Sequence, residues 1–334
     1  MPASVTVVIP NWNGKRFLDL CLESLRNQSL EGFQTIVVDN GSEDGSIDFV
    51  KARFPEVNVV ALGENSGFAA AVNAGIEASA TQYVVLLNND TQQDRRWLEA
   101  LVSAANDHPE SSFFASKLVD FHDRRVLDGA GDAMRLSGLP YRLGHGERDT
   151  GQFDEPGYVF GACAAAALYR KSLFDEVGLF DEDFVSYCED GDLSFRAQLA
   201  GHRCFYVPAA VVYHMGSAST GGKRSPTATR LGTRNSLSLL VKDLPLSAVP
   251  HILPFFVLGQ LARFVTATAT GALRAHLEGI AGAWRHLPLM LKKRAAIQKR
   301  KSLSDVEVRK LLRESSLAAA TSIARRLRDR VVSR

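Results

Sequence analysis

Short apolar runs alternate with helical patterns through the first hundred residues of the chain. The strand-like runs are VTVVIP (5–10), TIVVD (35–39), VNVVAL (57–62) and YVVLL (83–87). Helical spacing of apolar or small residues follows over 17–25, from about Gly45, over 69–78 and over 95–105. This alternation, with its short connections, predicts an α/β fold with a mostly parallel central sheet flanked by helices.

Ligands of such sheets bind at the carboxyl ends of the strands, so the polar residues after each strand are candidates for a site. They are Asn11–Asn13, Asp39–Ser42, Glu64–Gly67 and Asn88–Asp90. The sequence has no GxGxxG after its first strand and no GxxxxGK[ST] motif. These absences argue against a dinucleotide-binding Rossmann domain and against a phosphate-binding P-loop.

The stretch LLNND (86–90) ends a buried strand in two amides and a carboxylate. A carboxylate fixed at a strand end can hold a divalent cation through oxygen, with amide oxygens or water completing the shell. The alternative is that Asp90 only caps the helix that begins near Asp94.

Cysteine usage and the N-terminus bear on the compartment. The four cysteines form no CxxC pair, which favours a reducing environment. The N-terminal MPASVTVVIP lacks the basic and apolar regions of a signal peptide, so a cytoplasmic location is expected.

Several ordered motifs then point to one family. VVIPNWNG, VVDNGSEDGS, NSGFAAAVNAGI and LLNND resemble the donor half of family-2 glycosyltransferases of the GT-A fold. GACAAAALYRKSLFDEVGLFDEDF (161–184), YCEDGDLSFRAQLAGHRCFYVP (187–208), VVYHMGS (211–217) and TRN (233–235) resemble its acceptor half. Bacterial rhamnosyltransferase-type members are the most similar, and the resemblance covers roughly residues 5 to 245.

The resemblance implies a metal that bridges the donor diphosphate. The family's DxD-like motif reads Asn88-Asn89-Asp90 here, with Asp90 at the position of the direct ligand and two carboxylates replaced by amides. His214 stands where the family places a second ligand. A divalent cation, Mn²⁺ or Mg²⁺, is therefore expected, and imidazole suits Mn²⁺ better. A structural role for His214 is the alternative.

Further positions of the resemblance imply contacts with the nucleotide-sugar. Asp39 matches the residue that accepts a hydrogen bond from the pyrimidine N3–H, a donor that uracil and thymine share. A helix cap is its alternative role. The other expected donor-binding residues are Pro10, Asn11, Asn13, Asn65, Gly67, Asn88, Asn89 and Asp90. A plain turn is the alternative for Gly67.

The motif EDGD (189–192) opens a predicted helix. By resemblance, Asp190 is the general base that takes the acceptor proton in a one-step inverting transfer. Asp192 is expected to orient the loop or the sugar, and Glu189 to contact the acceptor or the donor sugar. Acidic residues also favour a helix N-terminus for electrostatic reasons alone, which is the alternative.

Two polar segments show no clear periodicity of apolar residues. Residues 120–156 are Gly-rich and are interpreted as a mobile segment over the acceptor site or as an inert insertion. Residues 216–226 are also expected to be flexible. Lys223 and Arg224 within them are predicted to close over the diphosphate, with Arg234 assisting, because phosphate oxygens favour such cations.

The C-terminal third differs in charge from the rest. Residues 291–334 contain 14 Lys or Arg and 4 Asp or Glu, although the whole chain has a net charge of only +2. Prolines and charges interrupt 244–278, so no clean span of about 20 apolar residues is expected. An interfacial helix pair with a basic tail on anionic lipid is favoured over an ordinary packed subdomain. Nucleic acid is disfavoured because the tail lacks interleaved aromatic residues.

The prediction is thus a GT-A catalytic domain over 1–245, with a nucleotide-sugar half (1–110) and an acceptor half (111–245), and a helical basic extension over 246–334. The expected activity is that of an inverting, metal-dependent hexosyltransferase. It would use a UDP- or dTDP-sugar, with dTDP-rhamnose as the specific candidate, and a lipid-linked or polysaccharide acceptor. The alternatives are an inactive sugar-nucleotide-binding scaffold and a sugar-phosphate nucleotidyltransferase.

Overall fold

A computed structural model of the chain describes residues 4–216 and 225–332. The strands are β1 (Val5–Asn11), β2 (Gln34–Asp39), β3 (Asn58–Ala61), β4 (Tyr83–Leu87), β5 (Thr91–Gln93), β6 (Ser111–Asp120), β7 (Leu127–Ala130), β8 (Asp132–Met134), β9 (Pro140–Arg142), β10 (Gly157–Val159), β11 (Ala166–Arg170) and β12 (Arg203–His214). The helices are α1 (Lys15–Arg26), α2 (Ser46–Arg53), α3 (Phe68–Ala78), α4 (Trp97–Asp107), α5 (Lys171–Val177), α6 (Glu189–Leu199), α7 (Pro226–Asp243), α8 (Val249–Ala269), α9 (Leu273–Arg300) and α10 (Asp305–Val332). The predicted alternation over the first hundred residues is confirmed.

The central sheet has the strand order β10-β12-β6-β11-β4-β1-β2-β3. Strand β1 pairs in parallel with β2 and β4, and β6 pairs in parallel with β12. Strand β11 runs antiparallel between β4 and β6. The mostly parallel sheet is therefore confirmed, with β11 inserted against the common direction. Because the chain moves from β1 to β2 on one side and returns to β4 on the other, a crevice lies at the ends of β1 and β4.

Helices cover both faces of this sheet. Neighbouring side chains of β1 point to opposite faces, so Val7 packs among α1, α2 and α4, whereas Val8 packs against α3. Trp97 of α4 is fully buried in the first layer, and its indole N–H donates to Ser116 at 2.9 Å. These two apolar layers fix the strand ends that carry the candidate site.

The segment 120–156 is ordered, contrary to the expectation of a mobile or inert insertion. It contains β7, which pairs with β6, and the hairpin of β8 and β9. Its short strands bury their side chains, including those of Asp128 and Asp132. A strand of three or four residues shows too little of its period to be detected in a sequence, which explains the error.

Two of the C-terminal helices pack on the catalytic region. Helix α9 crosses α7 closely, because a Cβ on Gly279 would lie 2.6 Å from the carbonyl oxygen of Arg230. Helix α10 lies along the β8–β9 hairpin, where Ser315 accepts from the amide of Met134 at 2.7 Å and Ser322 accepts from that of Gly144 at 3.0 Å.

Helix α8 differs from its neighbours because much of its apolar surface is exposed. Leu258 and Val265 are 64% and 65% exposed. Residues Leu246–Ala269 are long and apolar enough, by length and composition only, to cross a membrane. Length and composition alone do not establish a membrane span, so the expectation of no clean span stays a prediction. Pro250 lies in the first turn and Pro254 is accommodated inside the helix, so neither ends it.

Candidate active site

The ends of β1 and β4 are joined by a direct hydrogen bond in the crevice. The amide of Asn89 donates to Oδ1 of Asn11 at 2.7 Å, and the amide of Asn11 donates to Oδ2 of Asp39 at 3.1 Å. Gly14 makes this arrangement possible, because a Cβ there would lie 2.1 Å from the Asn89 amide nitrogen. The Gly of the PNWNG motif thus lets two amides lie beneath the start of α1. Pro10, predicted with these residues, lies within β1 opposite Val38.

Asp39 is buried and fixes the loop after β2. Its Oδ1 accepts from the backbone amide of Ser42 at 2.9 Å. The cap position of α2 is Gly45, so Asp39 does not cap this helix. Asn13 joins the same loop with its backbone amide on Oγ of Ser42 and its side-chain oxygen on the amide of Glu43. Asp39 and Asn13 thus meet at one loop, as expected for residues that line a common pocket.

Asn40 ties this loop to the one after β3. Its amide donates to the side-chain oxygen of Asn65 and to the carbonyl of Gly67, both at 3.0 Å, and its oxygen accepts from the amide of Ser66 at 2.9 Å. The sequence pointed to Asn40 only as one of the polar residues after β2, so this link between two loops was not predicted. Asn65 and Gly67 lie in the crevice loops as predicted.

His214 reaches Asp90 because the short strand β5 pairs with the end of β12. Thr91 lies opposite His214 in the register, and the amide of Met215 donates to the carbonyl of Asp90 at 3.0 Å. Nε2 of His214 lies 3.3 Å from Oδ1 of Asp90 and 3.5 Å from the side-chain nitrogen of Asn88. The residues predicted as metal ligands are therefore adjacent, although they are 124 positions apart in the chain. Asp90 lies before β5, and the cap position of α4 is Arg96, so the helix-cap alternative for Asp90 is wrong.

The donor set fits a divalent cation. Two ligands at about 2.1 Å from one cation lie about 3 Å apart when they are adjacent in an octahedron, which is close to the Asp90–His214 separation. Nδ1 of His214 lies 2.7 Å from Oδ2 of Asp128, and metal-bound histidines commonly donate their second N–H to a carboxylate in this way. Burial alone would lower the pKa of His214, but its contacts with Asp128 and Asp90 raise it to about 9. A cation at this site would replace the Nε2 proton.

Asp128 also joins the metal end of the crevice to the opposite side. Its Oδ2 accepts from Arg142 at 2.8 Å, and Arg142 donates to the sulfur of Cys163 at 2.6 Å. The guanidinium lies 4.0 Å from Asp132, and a ligand atom from each of Asp132, Cys163 and Asp190 falls within 4.8 Å of the others. These three residues have the spacing of a cation site, and Arg142 supplies positive charge to it.

None of these four residues, Asp128, Asp132, Arg142 and Cys163, was predicted as part of the site. Asp128 and Asp132 flank the Gly129–Gly131 stretch of a segment that was interpreted as a loop. The only hint that the sequence offered for these residues was the pair of acids on either side of the glycines. Their partners come from distant elements, so no local spacing revealed them.

Glu189 and Asp190 begin helix α6, as predicted from the EDGD motif. They lie beside the cluster of Asp132, Cys163 and Arg142. Burial and the neighbouring charge of Asp190 raise the pKa of Glu189 to about 8, and the same two causes raise that of Asp132 to about 7. Asp190 is half-buried, and Oδ1 accepts from the amide of Gly191 at 2.8 Å. Asp190 thus lies beside two carboxyl groups whose pKa values are raised, an arrangement suited to proton transfer.

Asp192 occupies a different environment from Asp190. It is fully buried, accepts from Nε of Arg196 at 2.9 Å and pairs with Lys242. Burial opposes its ionisation, but Lys242 and Arg196 lower its pKa. Asp192 was expected to orient the loop or the sugar, but its side chain is turned to two cations of the interior and not to the crevice.

Arg234 also differs from its predicted place. Its guanidinium donates to the carbonyls of Asp183 and Phe184 at 2.8 and 3.0 Å, so it binds the backbone of the protein itself. Lys223 and Arg224, the other cations predicted on the diphosphate, lie outside the described residues.

The fold is of the GT-A type, with amides and Asp39 at the ends of β1–β4, Asp90 beside His214, and carboxyl groups across the crevice. The family model "Glycosyl transferase family 2" matches residues 6–178. The chain belongs to this family, which confirms the family predicted from its motifs.

Two relatives from Mycobacterium tuberculosis illustrate the similarity. A pre-mycofactocin glycosyltransferase is 33% identical over 283 residues, which are 80% of this chain and 56% of that protein. An N-acetylglucosaminyl-diphospho-decaprenol L-rhamnosyltransferase is 28% identical over 262 residues, 71% of this chain and 83% of that protein. The chain thus spans little more than half the length of the first of these relatives.

Solved structures agree on the fold. A mannosyltransferase from Pyrobaculum calidifontis, solved in complex with GDP-Man and Mn²⁺, superposes with a TM-score of 0.53 at 16% identity. The match covers 96% of this chain and 87% of that one. Such neighbours are GT-A glycosyltransferases, and the chain has their fold.

Proposed function

We propose that the chain is an inverting hexosyltransferase that moves a sugar from a UDP- or dTDP-sugar to a lipid-linked or polysaccharide acceptor. The observation that carries the proposal is the crevice itself. Asp90 and His214 lie at one end, Glu189 and Asp190 at the other, and Asp128 and Arg142 connect the two.

Asp39 and the surrounding amides support a pyrimidine donor. A buried carboxylate at the end of β2 can accept from the N3–H of uracil or thymine, which cytosine lacks. A rhamnosyltransferase among the relatives makes dTDP-rhamnose the specific donor to test first.

Asp90 and His214 would hold a divalent cation, and Asp128 would orient the imidazole. The cation, when bound, supplies charge neutralisation for the diphosphate. Arg142, held by Asp128, adds a fixed positive charge beside the same crevice.

Asp190 supplies the base. It takes the proton of the acceptor hydroxyl while that oxygen bonds to the anomeric carbon and the bond from this carbon to the diphosphate oxygen breaks. The electron pair leaves on the diphosphate, and a single displacement of this kind inverts the anomeric centre.

A lipid-linked acceptor would bring the protein to a membrane surface. The name of the rhamnosyltransferase relative contains a diphospho-decaprenol acceptor. Exposed apolar side chains on α8 and basic residues on α9 and α10 support a cytoplasmic protein that binds an anionic membrane surface. Leu258→Ser/Val265→Ser should lower sedimentation with anionic phospholipid vesicles, whereas Val306→Ser/Leu327→Ser, equally exposed on α10, should not. Equal vesicle binding by both variants would show that the exposed face of α8 does not contact the membrane.

A thermal-shift screen tests the donor. Nucleotide-sugars are added to the full chain with Mn²⁺ or with excess chelator, because a donor that binds the native state raises its melting temperature. We expect a shift that requires the cation and that Asp90→Ala abolishes. Asp94→Ala, an exposed carboxylate nearby, should keep it. Equal shifts in chelator would contradict the metal site.

A transfer assay then separates the enzyme from its rivals. Asp190→Asn should lower turnover by about 10² to 10⁴ while the donor-induced shift remains. Asp175→Asn, an exposed carboxylate on α5, is the matched control. A scaffold protein would bind donor without turnover in the native chain, and a nucleotidyltransferase would release a sugar phosphate. Near-native turnover of Asp190→Asn would remove Asp190 as the base.

A further inference from the structure

The backbone just before Glu189 and Asp190 is strained. Val185 has φ 62° and ψ −61°, and Tyr187 and Cys188 have φ values of 72° and 68°. The amide of Ser186 donates to the carbonyl of Phe184 at 2.6 Å, which closes a γ-turn centred on Val185. This form of γ-turn is rare, and positive φ is least suited to a β-branched residue. Such a conformation persists only where surrounding contacts impose it.

Asn235 supplies contacts on one side of this turn. Its side-chain amide lies within hydrogen-bonding distance of the carbonyls of Phe184, Ser186 and Tyr187, at 2.8, 2.8 and 2.7 Å. Asn235 is 1% exposed, so these bonds are made without competition from water. Arg234 adds its two bonds to the carbonyls of Asp183 and Phe184. Arg234 and Asn235 of the TRN motif, on helix α7, therefore bind the backbone of this turn.

The loop after β3 contacts the other side of the turn centred on Val185. The carbonyl of Val185 accepts from the backbone amides of Phe68 and Ala69, at the start of α3, at 2.8 and 3.3 Å. Gly67 has φ 93°, and a Cβ there would lie 2.9 Å from both Cγ1 and the carbonyl oxygen of Val185. Gly67 thus allows the turn to approach the loop that carries Asn65.

We propose that Asn235 is a positioning residue that holds the 184–188 turn so that Asp190 faces the crevice. At the cap position of α6, Cys188 adopts the left-handed conformation and makes no side-chain capping bond to the described residues. The direction of the first turn of α6 therefore depends on the segment that Asn235 binds. The inference rests on the proposed role of Asp190.

Asn235→Ala removes the clamp and is the primary variant. We expect turnover to fall by about 10 to 100 fold, since displacement of a catalytic group by about 1 Å can have an effect of this size. The donor-induced thermal shift should stay close to native, because Asp90, His214 and Asp39 are untouched. Gln28→Ala is the matched control, since Gln28 is a buried amide that also binds backbone groups, but between α1 and α4.

A second substitution distinguishes positioning from a general loss of stability. Glycine adopts positive φ without a side-chain clash, so Val185→Gly should relieve the need for the clamp. The double variant Asn235→Ala/Val185→Gly should recover most of the lost turnover. If Asn235→Ala loses no more turnover than Gln28→Ala, or if the double variant recovers none, Asn235 is not a positioning residue.

Hydrogen exchange keeps the test separate from the proposed function. Amides of 185–192 should exchange faster in Asn235→Ala than in the native chain or in Gln28→Ala. Unchanged exchange there would overturn the clamp whether or not transfer is detected. Faster exchange in a chain that transfers no sugar from any nucleotide-sugar tested would support the clamp and refute the proposed function.

Discussion

Neutral amides hold one side of the crevice, whereas ion pairs hold the interior between helices α6, α7 and α9, a region termed the charged side. The amide side consists of Asn11, Asn40, Asn65 and Asn89 with the single carboxylate Asp39, joined by bonds of 2.7 to 3.1 Å. The charged side consists of Asp181, Asp192, Arg196, Lys242 and Lys293. Lys242 pairs with both Asp181 and Asp192, and Lys293 lies 2.5 Å from Asp181.

Buried carboxyl groups of the charged side differ in the direction of their pKa shifts. Burial alone would raise the pKa of Asp181, but Lys242 and Lys293 lower it to about 2. Asp243 is fully buried nearby, and burial together with the charge of Asp192 raises its pKa well above the usual range. Asp243 therefore stays protonated while its neighbours are ionised.

The difference predicts how each side responds to damage. Loss of one neutral amide leaves polar groups that can rearrange or bind water. Loss of one buried ion leaves its partner charged in a medium that solvates it poorly. The charged side should therefore be the more sensitive, and three experiments can break or sharpen this contrast.

Asp192→Ala should have the largest effect. It leaves Lys242 and Arg196 without their shared carboxylate, and breaking a buried ion pair typically costs about 3 to 5 kcal/mol. Denaturant unfolding measures the loss. Asp19→Ala, which breaks an exposed pair with Arg53, is the control and should change the free energy of unfolding by less than about 1 kcal/mol. A similar small loss at Asp192 would show that the charged side is not stabilised by these pairs.

The two sides also differ in how well the sequence predicted them. On the amide side, each residue follows its own strand within a few positions, so the period of the strands and the order of the motifs located Asn11, Asp39, Asn65 and Asp90. On the charged side and across the crevice, contacts join residues far apart in the chain. Lys242 pairs with Asp181, and Lys293 lies more than 100 positions from the same carboxylate.

The resemblance to family motifs predicted only some of these long-range contacts. It placed Glu189 and Asp190 at the start of a helix, which the structure shows, and it paired His214 with Asp90. It did not separate Asp192 from Asp190, because alternating acids in a motif look alike until burial distinguishes them. Arg234 was read as a phosphate ligand because a guanidinium can bind either phosphate or backbone carbonyls. The catalytic and binding roles of all these residues stay predictions.

Asn40→Ala tests the amide side and should have a smaller effect than Asp192→Ala. The substitution removes bonds to Asn65, Ser66 and Gly67, whose polar groups are exposed or half-buried and can bind water instead, so the loss should be about 0.5 to 1.5 kcal/mol. Denaturant unfolding again measures it, together with the donor-induced thermal shift, which should weaken because Asn65 loses its orientation. Asn27→Ala, an exposed amide bonded to the carbonyl of Glu23, should change neither. A loss at Asn40 equal to that at Asp192 would remove the contrast between the two sides.

Glu189→Gln should have little effect at low pH and a growing effect as pH rises. The pKa of Glu189 is raised to about 8 in the folded chain, against about 4.5 when unfolded. As pH rises between these values, the unfolded chain releases a proton that the folded chain retains, so native stability falls. Glutamine cannot titrate, so the variant is spared this fall.

The variant should therefore gain stability over the native chain between about pH 5 and pH 8, by up to about 1.4 kcal/mol for each unit of pH. Melting temperatures measured across this range test the expectation. Asn40→Ala is the control, since an amide does not titrate and its difference from the native chain should stay constant with pH. A constant difference for Glu189→Gln would mean that the folded chain ionises Glu189 as readily as the unfolded chain does. The carboxyl group of Glu189, next to Asp190 in the crevice, would then be charged at neutral pH rather than protonated.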